Sequence, residues 1–250
     1  MFFFFKQIFN KFNLFIFSGL FLFQLACKND KCLQSSGEII NETRHLEAFK
    51  TIDVYNYFNV YLKSDTINKI EIEAGGKLIP NIETSVTNGN LTIRDLNTCG
   101  FLKGYADKNL YISVDTLSLV TVYDASRLYT QDTLKVKELR ILFLSQVGTC
   151  DMIIHASTFN LDIWYGDGDY IVRGKAESAS FYARVLSFIY ANELEANSCY
   201  VYNQSMGDCY VKANESLTLE IHDSGNVYYS GEPSVIEITN NSGTGKLIKK

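Results

Sequence analysis

From Arg44 onward, apolar and polar residues alternate with a period of two. TIDVYNYFNVYL, KIEIEA, IETSVT, NLTIRDL and NLYISVD all carry the pattern, and all are rich in β-branched and aromatic residues. Successive side chains of a strand point to opposite faces, so this alternation predicts half-buried strands. Gly75-Gly76 and Asn88-Gly89-Asn90 punctuate the strands as turns. Proline occurs only at positions 80 and 233, so few strands are barred from pairing.

After residue 117 the chain repeats itself. The segments YDASRLYT, SQVGTCDM, YGDGDYIV, VLSFIYAN, SMGDCYVK, DSGNVYYS and NSGTGKLI align on small residues at Ser126, Gly148, Gly168, Ser187, Gly207, Gly225 and Gly245. The spacings are 22, 20, 19, 20, 18 and 20. Two residues after each anchor stand Leu128, Cys150, Tyr170, Ile189, Cys209, Val227 and Leu247. Four after it stand Thr130, Met152, Val172, Ala191, Val211 and Tyr229. These two columns are mostly apolar, whereas the position directly after the anchor is mostly polar. Stacked coils need such columns: equivalent residues lie over one another about 4.8 Å apart, and inward columns must be apolar to form a core. A second strand per coil is visible at LRILFL, FNLDIWY, SFYARVL, CYVYN and LTLEI. The expected fold is all-β: a right-handed parallel β-helix or β-solenoid with coils of about 20 residues.

The segment 177–197 is the point of tension. ESASFYARVLSFIYANELEA lacks Gly and Pro, and Phe181, Val185 and Ile189 have i, i+4 spacing, as an amphipathic helix would. Ser187 keeps the period, and a helix would interrupt the stack, so strand is the preferred reading.

The N-terminus follows a different pattern. Residues 1–26 carry Lys6 and Lys11, no acid, and an apolar run from Phe12 to Ala26. A basic start, a short apolar core and a small residue before the cut predict a secretory signal peptide. The run is shorter than the roughly 20 residues that span a bilayer; an uncleaved signal anchor is the alternative. Leu25-Ala26-Cys27 looks like a bacterial lipobox, in which Cys27 takes the lipid and becomes the new N-terminus. Gln24 departs from the aliphatic residue preferred there, and ordinary cleavage is the alternative. Residues 27–43 then serve as lipidated Cys and tether, or as a first loose strand. Residues 44–250 form the solenoid, with N-terminal strands over 44–116 and repeat coils over 117–250. The destination is the cell envelope: an exported, outer-membrane-anchored lipoprotein on its periplasmic or cell-surface face.

Losing the leader removes two of 23 basic residues and none of 28 acidic ones, leaving a net charge of −7. That argues against nucleic acid, whose phosphates need basic clusters. Besides Cys27 there are Cys32, Cys99, Cys150, Cys199 and Cys209. None forms a CxxC or a Cys/His zinc spacing. Cys32 and Cys99 sit in turn-rich segments and are the candidate disulfide; the other three fall on apolar strand positions, where cysteine packs as a small hydrophobe.

Catalytic chemistry has little to stand on. A β-helix lyase or hydrolase needs acids close together. Asp167 and Asp169, with Asp208 and Asp223 near equivalent corners, are the candidates. Asp169 and Asp208 lie two coils, about 10 Å, apart, and turn-forming acids are the plainer reading. His45, His155 and His222 share no spacing, and no GxSxG, GxGxxG or P-loop occurs, so neither nucleotide nor other cofactor is expected. A binding reading has more support. Three residues after the anchors stand Tyr129, Tyr190, Tyr210 and Tyr228, with Asp151 and Ile171 between. If positions two and four point in, this column points out, with Trp164, Tyr182, Tyr200 and Tyr202 on neighbouring rows. Such aromatics can hold a glycan or a protein surface, or can merely cover the sheet.

The chain also resembles a known family, the putative auto-transporter adhesins with a head-GIN domain. RHLEAFKTIDVYNYFNVYL resembles the family's opening strands, and IPNIETSVTNGNLTIRD its strand–turn–strand unit. LNTCGFLKGYADKNLYISVDTL and GNVYYSGEPSVIEITNNSGTGKL resemble its middle and closing segments. The likeness runs over about residues 32 to 250. It implies a parallel β-helix-like fold on an envelope lipoprotein, and no catalytic residues to carry over. The expected function is therefore non-enzymatic binding or adhesion at the cell envelope, with a β-helix carbohydrate-active enzyme and a purely structural periplasmic lipoprotein as alternatives.

Overall fold

The computed structural model describes residues 35–98 and 107–250. The leader, Cys27, Cys32 and Cys99 lie outside the described residues.

The repeat becomes a β-solenoid with coils of about 20 residues. Its regular part is made by β8 (Leu119–Val122), β9 (Arg127–Thr130), β10 (Leu134–Lys135), β11 (Glu138–Phe143), β12 (Thr149–Ile163), β13 (Asp167–Ser205), β14 (Cys209–Ile221), β15 (Val227–Ser230), β16 (Val235–Asn241) and β17 (Leu247–Lys249). All their pairings are parallel. Each coil has two long sides and a short third. Side one stacks Leu128 on Cys150 on Tyr170, and Cys209 on Val227 on Leu247. Side two stacks Ile141 on Leu161 on Phe181. The short side brings Lys135 beside His155 and His155 beside Lys175.

The anchored alignment is the observed register. Leu128, Cys150, Tyr170, Ile189, Cys209 and Val227 are buried, as are Met152, Val172, Ala191 and Val211. Segment 177–197 is strand throughout, inside the 39-residue β13. That strand stays continuous because it bends at corners instead of ending; one bend is at Gly174, where φ is +113°.

The N-terminal strands do not stack in chain order. They are β1 (Ile39–His45), β2 (Thr51–Val54), β3 (Asn59–Ser64), β4 (Lys69–Gly75), β5 (Ile82–Thr87), β6 (Asn90–Asp95) and β7 (Asn109–Val114). β2 lies between β6 and β8, and β3 between β7 and β9, all parallel. The coil made by residues 51–64 is therefore inserted between two coils that follow it in sequence. Beyond them, β4 pairs antiparallel with β7, β1 with β4, and β5 with β6. Strands running against the stack close this end. β1 begins at Ile39, inside the segment 27–43.

Cys150, Cys199 and Cys209 are buried and unpaired. Burial pushes the Cys199 thiol up to about 12, and pushes Cys150 and Cys209 further still, with Asp151 and Asp208 adding to the shift. Thiolates are the reactive form. Iodoacetamide at pH 8 should thus spare all three in the native chain and modify them in urea, as peptide mass mapping would show. The sign for stability follows. The unfolded chain releases these protons first, so stability holds below about pH 8.5 and falls as pH rises above it, by about 1.4 kcal/mol per pH unit per thiol.

Candidate functional site

Side one carries the tyrosines. Tyr190 pairs with Tyr210, and Tyr210 with Tyr228, in successive coils. Their rings stack nearly parallel, with centroids 5.4 and 4.8 Å apart and 7° between planes. A ring stacked on both faces offers only its edge and hydroxyl to a partner. Lys250 Nζ lies 4.6 Å from the centroids of both Tyr210 and Tyr228. Burial raises the Tyr190 hydroxyl, helped by Asp169; burial and then Asp208 raise that of Tyr210.

Tyr129 belongs to a second ladder. It stacks on Tyr61 at 4.9 Å, and Tyr61 stacks on Tyr111 at 5.0 Å. Asp151 and Ile171 occupy the intervening positions of the column; Asp151 is ion-paired with Arg173. Tyr61 and Tyr111 were not visible in the repeat, because β3 and β7 precede it. The shared pattern of NVYL and NLYI was the available signal.

Trp164 is not on this face. It follows the last residue of β12, at the corner between sides two and one. The Arg184 guanidinium lies 4.6 Å from its ring and 5.4 Å from that of Tyr202. Arg184 and Arg140 both pair with Asp162, at 2.7 and 2.6 Å. Asp162 is buried although it faces outward, because the two arginines cover it. Further along side two, the Tyr200 hydroxyl donates to Glu220 at 2.8 Å, and Glu220 pairs with His222 Nε2 at 2.8 Å. His222 first and Tyr200 second hold Glu220 below the usual carboxylate range. The five proposed binding residues thus fall into three groups: Tyr190–Tyr210–Tyr228, Tyr129 with Tyr61 and Tyr111, and Trp164 with Arg184.

Two of the four candidate acids serve the backbone. Asp208 Oδ1 accepts the Asn226 N–H at 2.8 Å, and Asp223 Oδ1 accepts the Ser224 N–H at 2.7 Å. Asp167 and Asp169 are exposed. Among the described residues no three His, Cys, Asp or Glu side chains gather as a metal site. A groove of about 940 Å³ runs along the short side past Lys135, His155, Lys175 and Glu195. Its charges are of both signs, and Glu195 bridges Lys175 and Lys212 at 3.3 and 3.4 Å.

Residues 48–233 match the family model described as "Putative auto-transporter adhesin, head GIN domain". Among solved structures, the chain is similar to a putative adhesin from Bacteroides fragilis, with 20% identity over 85% of this chain and 97% of that one, and a TM-score of 0.76. A putative lipid binding protein from Parabacteroides distasonis has 18% identity over 86% and 98% of the two chains, and a TM-score of 0.62. A putative adhesin from Parabacteroides merdae has 18% identity over the same shares and a TM-score of 0.56. At these identities the likeness is one of fold. No curated protein matches the chain.

Proposed function

Because the chain belongs to the family of putative auto-transporter adhesins with a head GIN domain, we propose that it is a non-catalytic binding module held at the cell envelope. In this reading residues 1–26 are the leader, Cys27 carries the lipid, and the solenoid presents its side-one face to a glycan or protein. The tyrosine ladder carries the proposal. Three parallel, stacked rings in successive coils hold their hydroxyls in one fixed row, which suits an extended hydrogen-bonding partner lying along the stack. Flat stacking of a sugar ring on a tyrosine face is the less suited mode, since neighbouring rings occupy those faces. The description of the similar solved proteins as adhesins agrees with a binding role.

The test uses cells displaying the full chain. Fatty-acid labelling should mark the wild type and not Cys27→Ser, and protease shaving should release the solenoid if it faces outward. Equal labelling of the two chains removes the lipid anchor. Adhesion of these cells to glycan-coated and matrix-protein-coated surfaces should fall at least fivefold for Tyr210→Ser/Tyr228→Ser. Each lost stacking pair costs only about 0.5–1.5 kcal/mol, so the variant should stay folded. Unchanged adhesion removes the ladder from the account.

A further inference from the structure

Exposed apolar side chains gather along one corner of the stack. Val147 is 58% exposed, Trp164 42%, Tyr165 55%, Val185 48% and Met206 55%. They come from four successive coils, all at the passage from side two to side one. Val147 bridges to Asp167, the Leu186 N–H donates to the Gly166 carbonyl, and the Met206 N–H donates to the Val185 carbonyl. These bonds stack Val147, Asp167, Leu186 and Met206 over one another, and Trp164, Tyr165 and Val185 lie within three positions of that line on the same corner, about 14 Å from end to end at the strand spacing.

Val185 makes this row more than scattered exposure. Its φ is +66°, in the left-handed region that a β-branched residue rarely enters. Glycine or asparagine would sit there more easily. The chain instead places a strained, half-exposed valine in the middle of the apolar row. Backbone strain of this kind gathers at functional positions. Local packing gives no reason for it, because the side chain is turned to solvent.

We propose that this corner is a lipid-contacting ridge, with Val147, Trp164, Tyr165, Val185 and Met206 entering the interfacial layer of a bilayer of uncharged or zwitterionic lipids. A convex ridge penetrates a soft surface, whereas a protein partner would have to supply a matching trough. Trp164 and Tyr165 are the side chains that favour a membrane–water interface. Asp167 and Asp169, exposed next to the ridge, disfavour strongly anionic lipid. An anchor at Cys27 would make even a weak membrane contact count. The ridge itself does not depend on that anchor.

Trp164 is the only tryptophan of the chain, so its fluorescence reports on this corner alone. The test uses the chain from residue 27 with Cys27→Ser. Vesicles of phosphatidylcholine and phosphatidylethanolamine should shift Trp164 emission to the blue, and brominated lipids should quench it. Val185→Asn should keep or raise the melting temperature, because asparagine tolerates the left-handed region. Combined with Met206→Ser it should weaken vesicle binding about tenfold or more, as lost apolar burial requires. No emission change with vesicles overturns the proposal. So does unchanged binding of the double variant, or a blue shift that grows with protein concentration without lipid, which would mean a second copy covers the ridge. A chain that binds vesicles but is not labelled at Cys27 keeps this inference and loses only the anchor.

Discussion

Gly225→Ala should cost about 3 kcal/mol or more and lower the melting temperature by roughly 6–12 °C. A Cβ at Gly225 would run into the carbonyl oxygens of Gly207 and Ser205. Both are backbone atoms fixed by the coil beneath, so no rotamer change relieves the overlap. The same holds one coil earlier, where a Cβ at Gly207 meets the Ser187 carbonyl, and one coil later, where Gly245 meets that of Gly225. Gly168, Gly207, Gly225 and Gly245 each rest on the anchor before them, which gives the small-residue column its physical meaning. Urea melts by circular dichroism would give the loss. Hydrogen exchange should show β15, β16 and β17 opening first, since they lie beyond the lesion in a stack held by neighbour contacts. Gly89→Ala is the contrast. Gly89 has φ of +76° and open space around it, so alanine there costs only the backbone preference, about 1–2 kcal/mol.

Asn203→Leu should destabilise by about 2–6 kcal/mol, although leucine is close in size and more apolar. Asn203 is fully buried inside the corner. Its Nδ2 donates to the Gly225 carbonyl at 2.9 Å, and its Oδ1 accepts the Ser205 N–H at 3.1 Å. Ser205, also fully buried, accepts the N–H groups of Ser187 and Gly207 through its hydroxyl, at 3.0 and 2.9 Å. Leucine would leave the Gly225 carbonyl and the Ser205 amide without partners in a dry interior, at about 1–3 kcal/mol each. Asn203→Asp should also lose stability, because a carboxylate cannot donate to the Gly225 carbonyl. A leucine variant as stable as wild type in urea would mean that the corner finds other partners for these groups.

The parts of the fold legible in the sequence are those set by local repetition. Cys150 over Tyr170 and Tyr210 over Tyr228 could be aligned because each coil repeats the same small, polar, apolar order. The strand state of 177–197 followed from Ser187 keeping the period, against a helical spacing of Phe181, Val185 and Ile189. The order of the N-terminal coils was not legible. Periodicity shows that β2 and β3 are strands but not which strands flank them, since parallel neighbours are chosen by shape far along the chain. Trp164 was placed beside the tyrosines because outward rows on different sides look alike in a linear alignment. Asn203 and Ser205 are not legible in the sequence, because a polar residue in a strand reads as outward, and only the corner's unpaired backbone groups explain them inside. Val185 fits the helical spacing of Phe181 and Ile189, whereas its positive φ belongs to neither helix nor strand.

The inserted coil sets a waiting time during synthesis. β3 has no parallel neighbour until β7 is made and gains its second only with β9, at residue 130. At about 5–20 residues per second, the stretch from Ser64 to Thr130 takes roughly 3–13 s to appear. Until β6 and β7 are made, Ile52, Val54, Val60 and Leu62, all fully buried in the finished stack, have no parallel neighbour to close against, and until β8 and β9 are made they are covered on one side only. The nascent chain is thus an open client for a holding chaperone at its front end, whereas every coil after residue 130 can settle on the one before it as it emerges.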